Sequence, residues 1–246
     1  MQKSRPTAAG YRVRIRLVLL AIALVAVVST PASAQLPGNP LALNAGTPPL
    51  DAYVVSVLEH QPKRPCALED PSAGERYQIE FDGRGRLVSL GTGDTAWQLA
   101  PSYDPRGRVT SETLSHDKFV RVYRYRYDRN GRAIEMTGWD GKSLDSKATF
   151  VYGATRMTRF EEQLACCGSY SVALGYDRNG RLTAVKTSGH PPSAITLTYD
   201  DHGRLATVSR SQGDEVITLS YDGTQVSEIQ TRRRQYAVRY RCAGKE

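Results

Sequence analysis

One seven-residue pattern recurs along this chain and constrains its fold more than any other feature. The pattern reads aromatic-Asp-x-x-Gly-Arg-apolar, and its clear copies begin at Phe81, Tyr103, Tyr127, Tyr176 and Tyr199. Degenerate copies surround Tyr152 and Tyr221, so successive copies lie 22 to 25 residues apart. A fixed period of this length predicts a repeat protein, in which each unit buries its apolar face on its neighbours.

The conserved spacing inside the motif predicts a tight hairpin turn. The Asp can accept hydrogen bonds from backbone N–H groups two residues on. Pro105 stands second in Asp104-Pro105-Arg106-Gly107, where its fixed φ suits a type I turn. The Gly then closes the hairpin in a left-handed conformation through a bulge. We interpret the motif Asp and Arg as a turn cap and a local contact.

The residues on either side of the motif alternate as strands do. Before the turn, Ile195, Leu197 and Tyr199 share one face of an extended chain. After it, apolar residues such as Leu205 and Val208 are three apart, which a bulge in the outgoing strand would reconcile. Seven units of this kind predict an all-β antiparallel meander of roughly 14 strands.

Strands with one apolar face must curl to bury it. A flat sheet of this size would leave roughly 25 cal/mol per Å² of apolar surface unburied, and it would twist strongly. We therefore expect a barrel-like or rolled sheet, either closed or folded as a two-layer sandwich, with tyrosine rings inside. An outer-membrane barrel is disfavoured because Arg121, Arg124 and Arg126 lie in one strand and interrupt any lipid-facing band.

The N-terminal 34 residues are typical of a secretory signal peptide. Five basic residues precede an apolar run of twelve from Leu17 to Val28, and Ala32-Ser33-Ala34 is a small-residue cleavage site. We expect an exported protein, periplasmic or extracellular, that does not span the membrane after cleavage. The leader carries five of the net +8 charges, so +3 remain on the mature chain. The basic pI therefore does not imply a nucleic-acid partner.

Two shorter segments precede the repeats. Residues 35–49 are rich in Pro, Gly and small residues and predict a flexible linker. Leu50, Tyr53, Val54, Val57 and Leu58 then recur at helical spacing, which predicts a short helix over 50–60. We expect this helix to cover the first strand or the end of the core, with partner docking as the alternative. The β domain is expected to span 50–246, with the repeats at about 77–240.

Four cysteines follow the leader, which favours disulfides in an exported chain. Three pairings are open: one joins the ends of the array and leaves a vicinal bridge, and two tie the ends to the middle. The cysteines are Cys66, Cys166, Cys167 and Cys242.

The motif resembles the YD-repeat, or RHS-repeat, family, whose Tyr-Asp-x-x-Gly-Arg-Leu consensus is matched at the five clear sites. The resemblance covers about 77–240. It implies a spiralling β-sheet, which in large members forms a shell that encloses a C-terminal toxin or displays binding surfaces. Seven units are few for a cage, and the chain ends soon after Cys242. We therefore expect a small exported scaffold without a toxin domain.

No residue set predicts catalysis, a metal site or a cofactor. The four histidines are scattered, no C-x-x-C occurs, and one Asp per unit is too few for calcium. Gly168-Ser169-Tyr170-Ser171 lacks the strand–helix context of a nucleophile elbow. Adjacent acids such as Glu161 and Glu162 point apart on an extended chain, so they are poor partners in acid–base catalysis.

We therefore expect a non-enzymatic binding scaffold whose partner is a protein or an envelope carbohydrate. The expected contacts are the aromatic residues outside the repeated tyrosines, Trp97 and Trp139, and the basic run Arg232, Arg233 and Arg234. Trp139 is placed in the turn Gly138-Trp139-Asp140-Gly141, either to dock a partner or to plug the barrel end. The alternatives are an enzyme or small-ligand carrier with a pocket at the barrel mouth, and an accessory or remnant of an RHS toxin system.

Overall fold

A computed structural model describes residues 52–91, 97–116, 119–166, 168–188, 192–211 and 215–242. The proposed signal peptide, the proposed linker and Cys167 lie outside these residues. The described part contains one helix, α1 (Ala52–Glu59), and sixteen strands. The strands are β1 (Ala67–Asp70), β2 (Glu75–Phe81), β3 (Leu87–Gly91), β4 (Trp97–Tyr103), β5 (Val109–His116), β6 (Phe119–Tyr127), β7 (Ala133–Asp140), β8 (Ser143–Tyr152), β9 (Met157–Leu164), β10 (Gly168–Tyr176), β11 (Leu182–Ser188), β12 (Ser193–Tyr199), β13 (Leu205–Arg210), β14 (Glu215–Asp222), β15 (Gln225–Gln230) and β16 (Gln235–Arg239).

The strands form one closed antiparallel barrel. Each strand pairs with its neighbours in sequence, and β1 pairs with β16, where Leu68 lies opposite Val238. The all-β meander is confirmed, and of the two curled forms the closed barrel is the one observed. Sixteen strands form rather than about 14, because β1 precedes the first motif and β16 follows the last. These two strands join the ends of the array, so neither edge is left unpaired.

The motif forms the same turn in each clear copy. In the hairpin between β4 and β5, Asp104 donates its N–H to the Arg108 carbonyl at 2.8 Å and accepts from the Gly107 N–H at 2.8 Å. Its side chain accepts from the amides of Arg106 and Arg108, each at 2.9 Å. Gly107 has φ of +79°, a left-handed conformation that residues with a Cβ rarely adopt. The turns of all the YD hairpins lie at one end of the barrel, called the motif end.

The outgoing strands contain the bulge that the three-residue spacing predicts. Thr198 lies opposite Thr207, but Tyr199 lies opposite Leu205, so Ala206 is the extra residue. The same shift occurs at Phe81, Tyr103, Tyr127, Tyr176 and Tyr221. The bulge returns the leucine after the motif to the inner face, where Leu205 is 3 % exposed.

The interior is filled by side chains. Inward-facing residues from every wall form one apolar cluster, including Leu68, Phe160, Val208 and Tyr236, and almost all are less than a tenth exposed. A round barrel of sixteen strands would enclose a channel. Side chains this well covered do not line a channel, so the walls lie close enough to share one core.

Helix α1 closes the core at the motif end. Val54 and Leu58 belong to the apolar cluster. Glu59 Oε1 accepts a hydrogen bond from the Leu87 amide at 2.8 Å, and Gln61 Oε1 accepts one from the Val226 amide at 3.0 Å. These contacts tie the helix to β3 and β15, and the helix lies within the predicted range 50–60.

The seam between β1 and β16 is held by a disulfide and ion pairs. Cys66 and Cys242 are bonded, so the pairing that joins the ends of the array is the one present. Arg239 Nε pairs with Glu69 at 2.6 Å beside this bond. Cys166 is also disulfide-bonded, to a partner outside the described residues. The one described helix is too short and insufficiently apolar to cross a bilayer.

Candidate functional site

The strongest surface feature is an apolar patch on the outer face of β6–β8, near the end opposite the motif turns. Tyr123 is fully buried, so strand alternation places Val122 and Arg124 on the outside. Trp139 lies opposite Val122 on one side and opposite Leu144 on the other. Val120 is 48 % exposed and Leu144 is 44 % exposed. We call these four residues the Trp139 patch: Val120, Val122, Trp139 and Leu144.

Trp139 itself is fixed in a strand. The expectation that it lies in a turn, plugging the barrel end, is wrong, because β7 continues to Asp140 and the turn falls at Gly141 and Lys142. Gly138 faces inward opposite Tyr123, so alternation along β7 directs the indole to the outer wall. The register shift between β7 and β8 makes Asp145 an extra residue and brings Leu144 opposite Trp139. Its Nε1–H donates to Thr137 Oγ1 at 3.1 Å, and the Arg124 guanidinium covers one ring face at 5.5 Å. The ring is half-buried and held at both its edge and its face.

The other candidate contacts lie elsewhere. Arg234 is part of the seam, since its Nη1 pairs with Glu75 at 2.7 Å and donates to the Tyr77 hydroxyl at 2.9 Å. Arg233 is exposed in the turn between β15 and β16. Arg232 shares that turn and is exposed as well. Trp97 begins β4, and its side chain lies outside what the structure describes. The structure therefore does not bring the three arginines together with Trp139.

Polar groups also line the inner wall of β5–β10. Glu162 is 2 % exposed and accepts a hydrogen bond from the Tyr170 hydroxyl. Burial raises the pKa of Glu162 to about 7, although the hydrogen bonds from Tyr170 and Ser146 act in the opposite direction. Nearby, Arg121 forms an ion pair with Asp145 at 3.0 Å. This part of the inner wall therefore includes a polar network beside the apolar cluster.

A second buried carboxylate lies nearer the motif end. Glu112 is 1 % exposed, forms an ion pair with Arg86 and accepts from the Tyr125 hydroxyl at 2.7 Å. Glu59 of the helix lies in the same region, and burial raises its pKa. Alternation along β5 and β9 could have indicated Glu112 and Glu162 as inward-facing, but sequence reasoning did not single out Glu112. Within the described residues, no three potential metal ligands converge.

The motif turns carry a series of arginine side chains stacked on tyrosine rings, which sequence reasoning also missed. The guanidinium of one unit lies over the tyrosine of the next: Arg108 is 4.7 Å from the Tyr127 ring centre, and Arg204 is 4.2 Å from that of Tyr221. The tyrosine hydroxyl reaches back to the earlier unit, as from Tyr127 to the Val109 carbonyl at 2.7 Å. The expected local contact is present too, since Arg108 pairs with Asp104 at 2.6 Å. Each motif therefore links two units.

This geometry defines a class of protein: a closed barrel of YD-type β-hairpins. The family model described as Teneurin YD-shell matches residues 63–191, just over half of the chain, and the RHS repeat model matches residues 176–215. The chain belongs to the YD-repeat, or RHS-repeat, family of shell proteins.

Similar proteins include a bacterial toxin. The double-stranded DNA deaminase toxin A of Burkholderia cenocepacia (strain H111) is 29% identical over 147 residues, which are 59% of this chain and 10% of the toxin. The chain thus spans about a tenth of that relative. A crystal structure of TcdB2-TccC3 without its hypervariable C-terminal region matches at 17% identity and a TM-score of 0.30, covering 64% of this chain and 10% of the other. A porin-like protein from Bacteroides vulgatus matches at 9% identity and a TM-score of 0.45. The match covers 72% of this chain and 98% of the porin-like protein.

Proposed function

We propose that this protein is an exported, non-enzymatic YD-repeat barrel that binds a protein partner through the Trp139 patch. The observation that carries the proposal is the outward placement of four adjacent apolar side chains on a barrel whose interior is already filled. Export rests on the N-terminal sequence. Membership of a shell family, with one relative named as a toxin, supports a place outside the cytoplasm.

The composition of the patch favours a protein partner. Hot spots of protein interfaces are rich in tryptophan and arginine surrounded by apolar residues. Trp139 and Arg124 supply the first two, and Val120 and Leu144 supply exposed aliphatic surface beside them. A sugar ring would stack on an open indole face, but Arg124 occupies one face of this indole. The patch is therefore better suited to a protein than to a carbohydrate.

The inner carboxylates support the non-enzymatic part of the proposal. Glu112 is held by Arg86 and Tyr125, and Glu162 is held by Tyr170. Both are almost fully covered. A general acid or base must reach the proton that it transfers, and these groups are directed at fixed protein partners beneath a closed wall.

Site-specific photo-crosslinking in the producing cell tests the proposal. A crosslinking residue at position 144 is compared with one at position 216, because Leu144 and Val216 are 44 % and 45 % exposed and lie on different walls. We expect one discrete protein adduct from position 144 and none from position 216. Trp139→Ala should reduce the yield of the adduct about tenfold, the effect of an interface hot spot. Equal labelling at both positions, or a yield that Trp139→Ala leaves unchanged, would contradict the proposal.

An accessory role in an RHS toxin system is a second candidate. The similarity to part of the Burkholderia toxin favours it. It predicts that the adduct from position 144 contains a toxin-system component, which mass spectrometry of the adduct would identify. An adduct with an unrelated envelope protein would exclude this role while leaving the binding scaffold intact.

A pocket enzyme or small-ligand carrier is supported only by the polar inner wall. This candidate predicts that a small molecule binds beside Glu162 and Tyr170 and slows hydrogen exchange of the strands that carry them. Hydrogen exchange of the β9 and β10 amides with and without a metabolite extract would detect such protection.

A further inference from the structure

An ion pair on the inner wall joins the two strands on either side of β7, directly behind the Trp139 patch. Val120 and Val122 of the patch alternate with Arg121, which is directed into the barrel. Leu144 of the patch precedes Asp145, the extra residue in the register shift between β7 and β8. Arg121 Nη2 pairs with Asp145 Oδ2 at 3.0 Å. The patch residues of β6 and β8 are therefore next in sequence to the two groups that hold these strands together.

Gly138 of β7 leaves the space that this arrangement needs. It lies between Tyr123 of β6 and Ser146 of β8, both of which face inward. A Cβ on Gly138 would lie 2.5 Å from Ser146 Oγ and 3.1 Å from Tyr123 Cε1. Because no side chain stands at this position, groups of β6 and β8 can approach each other across the inner surface of β7.

The carboxyl group of Glu162 faces the ion pair from β9. Its side chain is covered, and it accepts hydrogen bonds from the Tyr170 hydroxyl of β10 and from Ser146. Burial raises the pKa of Glu162 to about 7, the two hydrogen bonds lower it, the charge of Asp145 raises it and that of Arg121 lowers it. The charges of Glu162 and of the ion pair are therefore coupled.

The other groups that face this region keep their charge near neutral pH. Asp140 of β7 lies opposite Arg121 and adds a negative charge beside it. Burial raises the pKa of the Tyr123 phenol, so this group stays neutral. The Tyr170 hydroxyl donates its proton to the hydrogen bond with Glu162. Among these groups, Glu162 is the one whose charge changes close to pH 7.

We propose that protonation of Glu162 controls the shape of the Trp139 patch and thereby its affinity for a protein partner, an inference that rests on the proposed function. With Glu162 neutral, Arg121 pairs with Asp145 and supports the bulge that holds Leu144 beside the indole. With Glu162 ionised, a second carboxylate competes for the guanidinium inside a covered wall, where charge pairs are strong. Arg121 then withdraws from Asp145, and the bulge loses its support. The patch therefore binds best below pH 7 and loses affinity as the pH rises.

Fluorine NMR of the full mature chain labelled with 5-fluorotryptophan observes the patch without any partner. The chain contains two tryptophans, and Trp139→Phe assigns the resonance of interest. Between roughly pH 5.5 and 8.5, we expect this resonance to shift with a midpoint at about 7. Glu162→Gln should abolish the shift and keep the resonance at its low-pH position. Asp145→Asn removes the carboxylate that holds Arg121, so it should move the resonance towards its high-pH position even in acid.

Glu161→Gln is the matched control. Glu161 is the adjacent carboxylate, but its side chain lies on the outer wall and is 55 % exposed. This variant should leave the titration unchanged. The second measurement is the crosslinked adduct from position 144, whose yield should fall about fivefold to tenfold by one pH unit above the midpoint, because the binding-competent fraction falls by that factor. In Glu162→Gln the yield should not vary with pH.

Four results would overturn the inference. The first is a Trp139 resonance that does not shift with pH in the unmodified protein, a result that does not depend on whether any variant folds. The second is a shift that survives Glu162→Gln, which would assign it to another group such as a histidine. The third is an equal loss of the shift in Glu161→Gln, and the fourth is an adduct whose yield does not vary with pH. Absence of any adduct would instead reject the proposed function, while the resonance would still report the coupling.

Discussion

Arg86 forms an ion pair with Glu112 inside the barrel, although the corresponding arginines of four other hairpins pair with the aspartate four residues earlier. The place beside Asp82 is taken by the Tyr103 hydroxyl, which donates to Asp82 Oδ2. The Arg86 side chain is 12 % exposed and that of Glu112 is 2 % exposed. The first hairpin is therefore attached to the inner wall as well as to its neighbour.

Removing the Arg86 side chain should lower the free energy of unfolding far more than removing the arginine at the same position of another unit. Arg86→Ala leaves Glu112 buried and unpaired, which costs about 3–5 kcal/mol. Arg181→Ala removes a partly exposed ion pair with Asp177 and a cation–π contact with Tyr199, together worth about 0.5–2 kcal/mol. Urea unfolding of both variants measures the difference, and equal destabilisation would show that the Arg86 pair is not buried in solution.

Glu59 should hold helix α1 in place through the hydrogen bond that its Oε1 accepts from the Leu87 amide, and not through its charge. Glu59→Ala leaves the buried Leu87 amide without a partner and is expected to destabilise the protein by about 1–3 kcal/mol. Glu59→Gln keeps an oxygen acceptor and should cost less than half as much. Hydrogen exchange at the Leu87 amide provides the local measurement. Equal protection in the Ala variant and the unmodified protein would argue against the anchor.

The motif glycine should have a second role besides its backbone conformation. Gly107 and Gly131 have φ of +79° and +82°, so alanine strains both equally. A Cβ at Gly107 would lie 2.7 Å from Arg84 Nη1, whereas one at Gly131 would lie 3.8 Å from Arg108 Nη1. Gly131→Ala should cost about 1–2 kcal/mol, and Gly107→Ala about 0.5–1 kcal/mol more through the displaced cation–π contact.

A double-mutant cycle isolates that second role. In an Arg84→Ala background the additional cost of Gly107→Ala should disappear. If Gly107→Ala and Gly131→Ala remain equal in the unmodified background, the glycine acts through its φ alone.

The Cys66–Cys242 bond should contribute substantially to stability because it closes nearly the whole domain. The two residues are 176 positions apart. Chain entropy for a loop of this length predicts a contribution of about 5 kcal/mol. The variant C66S/C242S leaves Cys166 unchanged, and its urea midpoint should fall accordingly. A midpoint within error of the parent would show that strand pairing at the seam is sufficient.

Glu162 should make the stability of the protein depend on pH. Its pKa rises from 4.5 to about 7 on folding, so the folded state binds the proton more tightly than the unfolded state. The stabilisation is complete below pH 4.5 and is lost as the pH rises towards 7, a change of roughly 3 kcal/mol. Glu162→Gln should remove this change, so that the free energy of unfolding varies by roughly 3 kcal/mol less over the same pH range. An unchanged slope would assign the pH dependence to other groups.

The sequence by itself determined the repeat unit. Local chemistry was sufficient there, because an Asp cap, a left-handed Gly and alternating apolar residues act within one hairpin. The seven units, the bulge after each turn and the family could all be predicted at this level. The short helix was indicated by its apolar spacing, although the sequence did not show which elements it contacts.

Only the tertiary structure decided what depends on contacts between distant units. It paired β1 with β16, selected Cys66–Cys242 and turned Arg86 towards Glu112. It also placed Trp139 in a strand on the outer wall with Leu144 beside it, because the register shift that brings them together depends on the pairing of β7 with β8. Each of these features joins residues that no local pattern relates, since closure of the sheet sets which side chains meet.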